Sequence, residues 1–199
     1  MARFPGCLLG VLISLSNPLA AKASCRLALA EPHLAEQVVP IGYQQVATVV
    51  GVPCDLLYAL ALTESGQSSM SNNQWRPWPW TLNIDGRGQY FQSRTQAWQH
   101  LQQALTEKHR ATDVGILQIN WGYHQRALGS AWEALEPYHN LQVGAAILKR
   151  CFDSRSDWWQ SAGCYHAPNN SKRAEAYRLR VQRHWRQILH VPKKEGDES

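Results

Sequence analysis

The sequence predicts a mainly α-helical α+β domain with one small β-hairpin. Apolar residues recur with helical spacing over most of the chain, most clearly in residues 53–66 and in the amphipathic segment 172–191. A strand–turn–strand pattern occurs where Asp85-Gly86 separates two short runs of β-prone residues. No internal repeat is visible in the 199 residues. These patterns predict one helix-rich domain that carries a small β-hairpin.

The expected helices follow from this periodicity and from their end signals. Gly51 closes the first helix and Pro53 opens the second, which are helix positions that these residue types favour. Ser93 is the expected N-cap of the third helix. The connections are expected to include a loop with a short apolar turn at residues 113–120 and a polar loop at residues 153–163. The five expected helices cover residues 41–50, 53–66, 93–105, 140–150 and 172–191.

Residues 1–23 have the pattern of a cleaved signal peptide. Arg3 supplies the positive start, and residues 8–15 supply an apolar core that is too short to span a bilayer. Ala21-Lys22-Ala23 is a small-x-small cleavage site. Lipid attachment at Cys25 is an alternative, but lysine stands where that signal requires an aliphatic residue. We therefore expect export with cleavage after residue 23.

The exported chain has the size of one domain and a mildly basic charge. Residues 24–192 are expected to form this domain, and residues 193–199 a disordered tail. Loss of Arg3 and Lys22 lowers the formal charge from +5 to +3, which suits an anionic partner without identifying it. Zinc-ligand spacings, phosphate-binding glycine loops and nucleotide fingerprints are absent from the sequence. We therefore expect no metal, no cofactor and no nucleic-acid partner.

The cysteines predict disulfide bonds. Cys25, Cys54, Cys151 and Cys164 remain after the signal, and an even number of cysteines in an exported chain allows three connectivities. The favoured pair is Cys151–Cys164, because it would close a helix–loop–helix hairpin. Cys25–Cys54 then follows by elimination.

Glu64 is the first candidate for chemistry. It follows Leu57, Leu60 and Ala61 at positions i+7, i+4 and i+3, so a helix would place its carboxyl on the apolar face. Burial and the negative end of the helix dipole both disfavour the charged carboxylate, and both raise its pKa. A carboxyl that is protonated near neutral pH can act as a general acid. The alternative is a glutamate at the helix end that turns out to solvent.

Four short motifs occur in order along the chain. They are Leu62-Thr63-Glu64-Ser65-Gly66, Gly115-Ile116-Leu117-Gln118-Ile119, Asn140 with Gly144, and Tyr165-His166. In this order they resemble the lysozyme-like soluble lytic transglycosylases, and in particular single-domain members that accompany type IV secretion, pilus and conjugation systems. The resemblance covers residues 41–190, and it implies a lysozyme-like α+β fold.

The resemblance implies a role for each matched residue. Glu64 would be the catalytic acid, Ser65 would hydrogen-bond to or near its carboxyl, and the Tyr165 hydroxyl would point at it. Gly115 and Gln118 would line the cleft beside the sugars, with Gly115 letting the glycan approach the backbone closely.

The chain also departs from the family pattern. Asn140 and Gly144 match residues of a structural helix, and Leu117 replaces the usual Met with a side chain of similar size. His166 and Pro168 stand where Asn and Gly are common, so His166 is expected to be structural.

Other candidates have two interpretations each. Trp78 and Trp80 belong to an aromatic segment that is expected beside the cleft, where they would stack on sugar rings or pack as a local core. Asp85 is expected to serve the turn, and Asp113 is expected to serve a loop or cap although it could reach the cleft rim. A lytic transglycosylase needs no second carboxyl, so Glu64 would act alone as acid and then as base.

The resemblance therefore implies a periplasmic enzyme that cleaves the MurNAc–GlcNAc β-1,4 bond of peptidoglycan and forms 1,6-anhydroMurNAc. We expect a monomer without stable membrane insertion that binds glycan strands. It would open the wall for a secretion, pilus or conjugation apparatus, whose components are further expected partners. The alternatives are a lysozyme-type hydrolase and a non-catalytic peptidoglycan-binding assembly factor.

Overall fold

The protein was analysed as a computed structural model that describes residues 38–68, 75–108 and 111–189. The expected signal peptide, Cys25 and the tail 193–199 lie outside the described residues. The mainly helical α+β class predicted from the sequence is confirmed. The helices are α1 (Ile41–Val50), α2 (Cys54–Ser65), α3 (Arg94–Thr106), α4 (Trp121–Leu128), α5 (Ala131–Ala134), α6 (Pro137–Arg155), α7 (Trp158–His166) and α8 (Ser171–Leu189).

Helix α2 forms the centre of the core. It packs against α1, α8 and the strand Trp75–Pro77, and Leu56, Leu57 and Leu60 are fully buried. The sequence predicted one apolar face, but α2 is buried around most of its circumference, including its first-turn acid Asp55. Asp55 is compensated there because its carboxylate accepts a 2.8 Å bond from the indole Nε1 of Trp185 on α8. This bond fixes the N-terminal end of α2 against α8.

The described strands form a two-stranded ribbon and a four-stranded antiparallel sheet. The ribbon pairs β1 (Gly66–Ser68), which continues directly from α2, with β2 (Trp75–Pro77). The sheet has the order β4-β3-β5-β6. Its strands are β3 (Thr81–Ile84), β4 (Arg87–Tyr90), β5 (Thr112–Val114) and β6 (Ile119–Asn120).

The expected hairpin is present, and its turn is tighter than predicted because the second strand already begins at Arg87. Asp85 and Gly86 form its turn with φ angles of 49° and 81°, the left-handed conformation that a two-residue hairpin loop requires. The prediction of a simple loop at residues 113–120 is wrong at both ends, because β5 pairs with β3 and then with β6. The sheet thus extends from the hairpin to the segment that carries Asp113 and Gln118.

The prediction of a polar loop at residues 153–163 is also wrong. Helix α6 continues to Arg155, and α7 begins at Trp158 after a short connection. Asp157 caps α7, since its carboxylate accepts a 2.7 Å bond from the backbone N–H of Gln160. Trp158 stacks on Phe152 of α6 with a ring separation of 3.9 Å. Trp158, which falls within the predicted loop, therefore packs α7 against α6.

The disulfide expected between Cys151 and Cys164 is present and joins α6 to α7. Cys54 at the start of α2 is also disulfide-bonded, and its expected partner Cys25 lies outside the described residues. In the described part of the chain, no single helix is long and apolar enough to cross a membrane, although α1 and α2, which meet at 117°, have the required length and composition together.

Candidate active site

A cleft of about 1000 Å³ is lined by residues from several helices and from the four-stranded sheet. Its lining comes from α2, the sheet, α4, α6, α7 and α8. This volume is at the upper end of the range for small-molecule sites, so the cleft suits an oligomer better than a single small ligand. Among the described residues, no group of three or more His, Cys, Asp or Glu side chains is arranged to hold a metal ion.

Glu64 lies in this cleft at the C-terminal end of α2. It is half-buried, and its Oε1 accepts a 2.5 Å hydrogen bond from the hydroxyl of Tyr177. Burial is the main cause that raises its pKa to about 7, and the charge of Asp113 raises it further. The Tyr177 hydrogen bond and the Arg180 guanidinium lower that pKa. The carboxyl is therefore poised to hold a proton near neutral pH and also to lose it.

The tyrosine that supports Glu64 differs from the expected one. The Tyr165 hydroxyl donates to the backbone carbonyl of Leu117 at 2.7 Å, so its single proton is not available to Glu64. The donor to Glu64 is instead Tyr177, a core residue of α8. Tyr165 still lines the cleft, and the charge of Glu64 helps to raise the Tyr165 pKa. The Tyr165 hydroxyl was expected to point at the carboxyl of Glu64, and it bonds instead to the neighbouring loop.

Ser65 also supports the loop rather than the carboxyl. Its buried hydroxyl donates to the carbonyl of Ile116 at 2.7 Å and lies 3.2 Å from the carbonyl of Ala61. The expected hydrogen bond at or near Glu64 is thus replaced by a link between the end of α2 and the loop after β5. Ser65 and Tyr165 hold this loop from two sides.

Asn140 of α6 fixes the same loop from a third side. Its side chain is completely buried and donates to the carbonyls of Val114 and Ala134 at 3.0 and 2.9 Å. Its Oδ1 accepts from the backbone N–H of Leu117 at 2.9 Å. Gly115 has φ +81°, and a Cβ atom there would lie 2.4 Å from the amide of Asn140. The structure therefore gives Gly115 a packing role against Asn140. The close approach of the glycan to Gly115 stays a prediction.

Gln118 faces the cleft but is also part of its frame. Its Nε2 donates to the carbonyls of Gly115 at 2.8 Å and Thr81 at 3.1 Å, which joins the loop to β3. Its backbone has a positive φ of 43°. These bonds fix the side chain in one orientation on the cleft wall. Sugar binding by Gln118 stays a prediction.

A second carboxyl lies in the cleft. Asp113 on β5 lines it and accepts hydrogen bonds from the side-chain amides of Asn120 at 2.9 Å and Asn83 at 3.2 Å. Burial raises the pKa of Asp113, and these two amide bonds partly offset the rise. The sequence favoured a loop or cap role for Asp113. Asp85, in contrast, sits in the hairpin turn as expected.

The aromatic segment packs on itself. Trp78 and Trp80 are perpendicular to each other at 5.9 Å, and Trp78 Nε1 donates to the carbonyl of Phe91 at 2.7 Å. Among the described residues that line the cleft, the hairpin is represented by Asn83 and by neither tryptophan. This geometry supports the local-core interpretation, and it gives no support to the expected stacking of Trp78 and Trp80 on sugars.

One further aromatic residue of the cleft was not singled out by the sequence, and a second one, His166, supports the donor to Glu64. Tyr123 on α4 lines the cleft with 87% of its surface exposed, so its ring face is available to a ligand. The sequence around Tyr123 has no helical or strand periodicity that would have marked this residue as a site candidate. His166 of α7 stacks on the ring of Tyr177 at 4.4 Å and so holds the residue that donates to Glu64. Burial lowers the pKa of His166, as do Arg180 and Arg173.

Comparison with known proteins agrees with this geometry. The family model described as the transglycosylase SLT domain matches residues 43–185, a range that contains Glu64, Asp113 and Tyr177. Searches of curated proteins and of solved structures gave no match. The matched range covers more than half of the chain and ends within α8. The chain therefore belongs to the lysozyme-like lytic transglycosylase family defined by this domain.

Proposed function

We propose that the protein is a periplasmic lytic transglycosylase that cleaves the β-1,4 bond between MurNAc and GlcNAc in peptidoglycan and leaves a 1,6-anhydroMurNAc end. The observation that carries the proposal is Glu64, a cleft carboxyl with a pKa of about 7 and a tyrosine donor. A general acid works best when its pKa lies near the working pH. Membership of the family supports peptidoglycan as the substrate class.

Glu64 acts in both steps of the reaction, first as the general acid and then as the general base. Protonated Glu64 gives its proton to the glycosidic oxygen, and the bond from that oxygen to C1 of MurNAc breaks. The N-acetyl carbonyl of MurNAc stabilises the positive charge that develops at C1. The resulting carboxylate then takes the proton from the C6 hydroxyl while the C6 oxygen bonds to C1. No water enters, and Glu64 ends the cycle protonated.

Tyr177 suits the first half of this cycle, in which Glu64 gives up its proton. Its hydroxyl stabilises the carboxylate after the first step and lowers the pKa that burial would otherwise raise further. Without that donor, Glu64 would be a poorer acid. Without burial, the carboxyl would be ionised at neutral pH and could not begin the cycle.

The cellular role is part of the same proposal. Residues 1–23 support export, and the disulfide Cys151–Cys164 suits an oxidising compartment such as the periplasm. A single small domain that cuts glycan strands would open the wall locally for a type IV secretion, pilus or conjugation system.

A lysozyme-type hydrolase is the second candidate, and Asp113 favours it. Inverting and retaining glycosidases both use two carboxyls. Asp113 lies in the same cleft as Glu64, and its charge acts on Glu64. The two reactions differ in their products, since the anhydro sugar is lighter by one water than the hydrolysed end. A digest of purified sacculi analysed by mass spectrometry decides between them. We expect anhydro products from the wild type and from Asp113→Asn, and reducing-end products would contradict the transglycosylase assignment.

The experiment that tests catalysis itself compares the wild type with Glu64→Gln in a peptidoglycan-containing gel. We expect clearing by the wild type and a loss of at least about 100-fold in the variant, the lower range for general acid–base catalysis. Equal clearing by both proteins would remove Glu64 from the mechanism. No clearing by the wild type, combined with sedimentation on sacculi, would favour a binding protein.

A further inference from the structure

One face of α8 is directed at Glu64. Arg173, Tyr177 and Arg180 follow each other at spacings of four and three residues, so they share a face of the helix. The bond from Tyr177 to Glu64 shows where this face points. Arg173 and Arg180 both line the cleft, and Arg180 is close enough to Glu64 to lower its pKa. Two arginines therefore stand on the wall beside the candidate catalytic carboxyl.

Neither arginine forms a salt bridge within the described part of the chain, although the charge of Arg180 acts on Glu64. The off-cleft Arg178, in contrast, pairs with Glu175 at 2.5 Å on the same helix. The guanidinium of Arg180 lies 5.3 Å from the centre of the Tyr177 ring, which keeps it beside the site. Asp113 is the acid within the cleft lining besides Glu64, and its oxygens are engaged by two amides. The wall thus offers two positive charges to a ligand.

The glycan backbone does not account for these charges. Its hydroxyl and N-acetyl groups are neutral, so they can accept hydrogen bonds from a guanidinium but offer it no charge to pair with. The stem peptide that branches from the lactyl group of MurNAc carries free carboxylates. Guanidinium groups bind carboxylates in a planar, two-pronged geometry. The anionic part of this substrate class is therefore its peptide.

The spacing of the two arginines also suits a peptide. Seven residues along α8 correspond to a rise of about 10 Å, which an extended peptide of about three residues spans. A stem that leaves the sugar beside Glu64 can run along this helix past both side chains. Arg183 belongs to the same helix but is not part of the cleft lining among the described residues.

We infer that Arg173 and Arg180 bind carboxylates of the stem peptide, so that the enzyme selects glycan strands that carry peptides over bare strands. This inference rests on the proposed function for its substrate class. It adds a specificity site that is separate from the bond-cleaving carboxyl.

The test uses two substrates prepared from the same sacculi. The first is uncross-linked strands that carry their stems, and the second is the same strands after an amidase has removed the stems and the lactyl carboxylates that this frees have been converted to amides. We expect the wild type to have a higher kcat/KM on the peptide-bearing strands. The preference should fall about fivefold in Arg173→Gln and about fivefold in Arg180→Gln, the range of a solvent-exposed ion pair. Arg173→Lys should keep part of it, and added salt should weaken it.

The ratio between substrates is the readout, because Arg180→Gln also changes the pKa of Glu64 and hence the rate on both strands. Arg183→Gln is the matched control on α8, and it should keep the wild-type ratio. Equal kcat/KM of the wild type on both strands would overturn the inference, and so would a preference that survives in the Arg173→Gln/Arg180→Gln double variant.

A binding measurement separates this inference from the proposed function. Glu64→Gln should bind peptide-bearing strands more tightly than bare strands, and the two arginine substitutions in that background should remove the difference. A wild type that cleaves neither substrate while this binding difference persists would contradict the proposed function and support the inference. Equal binding of both strands would contradict the inference even if cleavage is found.

Discussion

Glu64→Gln should make the protein more stable as well as inactive. The pKa of Glu64 is raised from 4.5 to about 7 in the folded protein, chiefly by burial. Between these values the folded state binds more protons than the unfolded state, so its stability falls as pH rises through this window. At about 1.4 kcal/mol per pKa unit, the loss reaches about 3 kcal/mol above pH 7. Glutamine has no charge to bury, and its oxygen can still accept from Tyr177.

The assay is urea denaturation of both proteins at several pH values between 4 and 9. At pH 4 the carboxyl is protonated in both states, so the two proteins should have nearly equal stability. The difference should grow through pH 5 and 6 and level off above about pH 8, where it corresponds to a rise in Tm of roughly 5–10 °C. Glu175→Gln is the control, because Glu175 is exposed on α8 and its loss removes a surface ion pair worth at most about 1 kcal/mol.

The reasoning would be refuted by a difference between Glu64→Gln and wild type that does not change with pH. It would also be refuted by a variant that is less stable than wild type at pH 8. Either result would mean that the folded protein does not disfavour the carboxylate, and a general acid at neutral pH would then need another source of protonation.

Three further predictions concern other parts of the site and fold. Tyr177→Phe removes a bond that lowers the Glu64 pKa, so the alkaline limb of the pH–activity profile should move to higher pH while the maximal rate falls. Replacing Cys151 and Cys164 with serine should lower the free energy of unfolding by about 3 kcal/mol, the chain-entropy value for a loop of 13 residues. A reductant should produce at least this loss in the wild type, because it also opens the disulfide bond of Cys54. Tyr123→Ala should raise KM about fivefold with little change in Tm, because the ring is exposed, and Tyr123→Phe should restore KM.

Elements with local signals could be predicted from the sequence. The end of α1 at Gly51, the start of α2 after Pro53 and the turn at Asp85-Gly86 depend on residues next to one another in the chain. The cap of α3 is similar, since the Ser93 hydroxyl accepts from the N–H of Gln96 three residues later. In each case the residue type has a backbone preference that tertiary packing did not override.

The donor to Glu64 could not be predicted in this way. Periodicity predicted an amphipathic helix over residues 172–191, and Tyr177 is a buried residue of this helix with 1% exposure. Its hydroxyl partner is 113 residues away in the sequence, and only the packing of α8 on α2 brings the two together. Family motifs pointed to Tyr165 because it shares the cleft, but they do not record which of two neighbouring hydroxyls reaches the carboxyl.

Helix α7 was missed for a different reason. Its sequence contains two adjacent tryptophans after a run of Asp, Ser and Arg residues, so neither helical periodicity nor a strong helix former marks its start. The helix is held by tertiary contacts: the stacking of Trp158 on Phe152, the perpendicular packing of Trp159 on Trp185, and the disulfide at Cys164. Asp157 was the available local signal, as an N-cap residue three positions before Gln160.

The loop after β5 connects the family motifs to the chemistry in a way that the motifs alone do not reveal. Ser65, Asn140 and Tyr165 come from three different helices, and each bonds to a backbone group between Val114 and Leu117. They therefore fix the cleft wall, and the electrostatics of Glu64 depend instead on burial, Tyr177, Asp113 and Arg180. Changes at the first set should alter substrate placement and leave the pH limb of Glu64 near its wild-type position. Changes at the second set should move that limb, because each of these groups acts on the carboxyl itself.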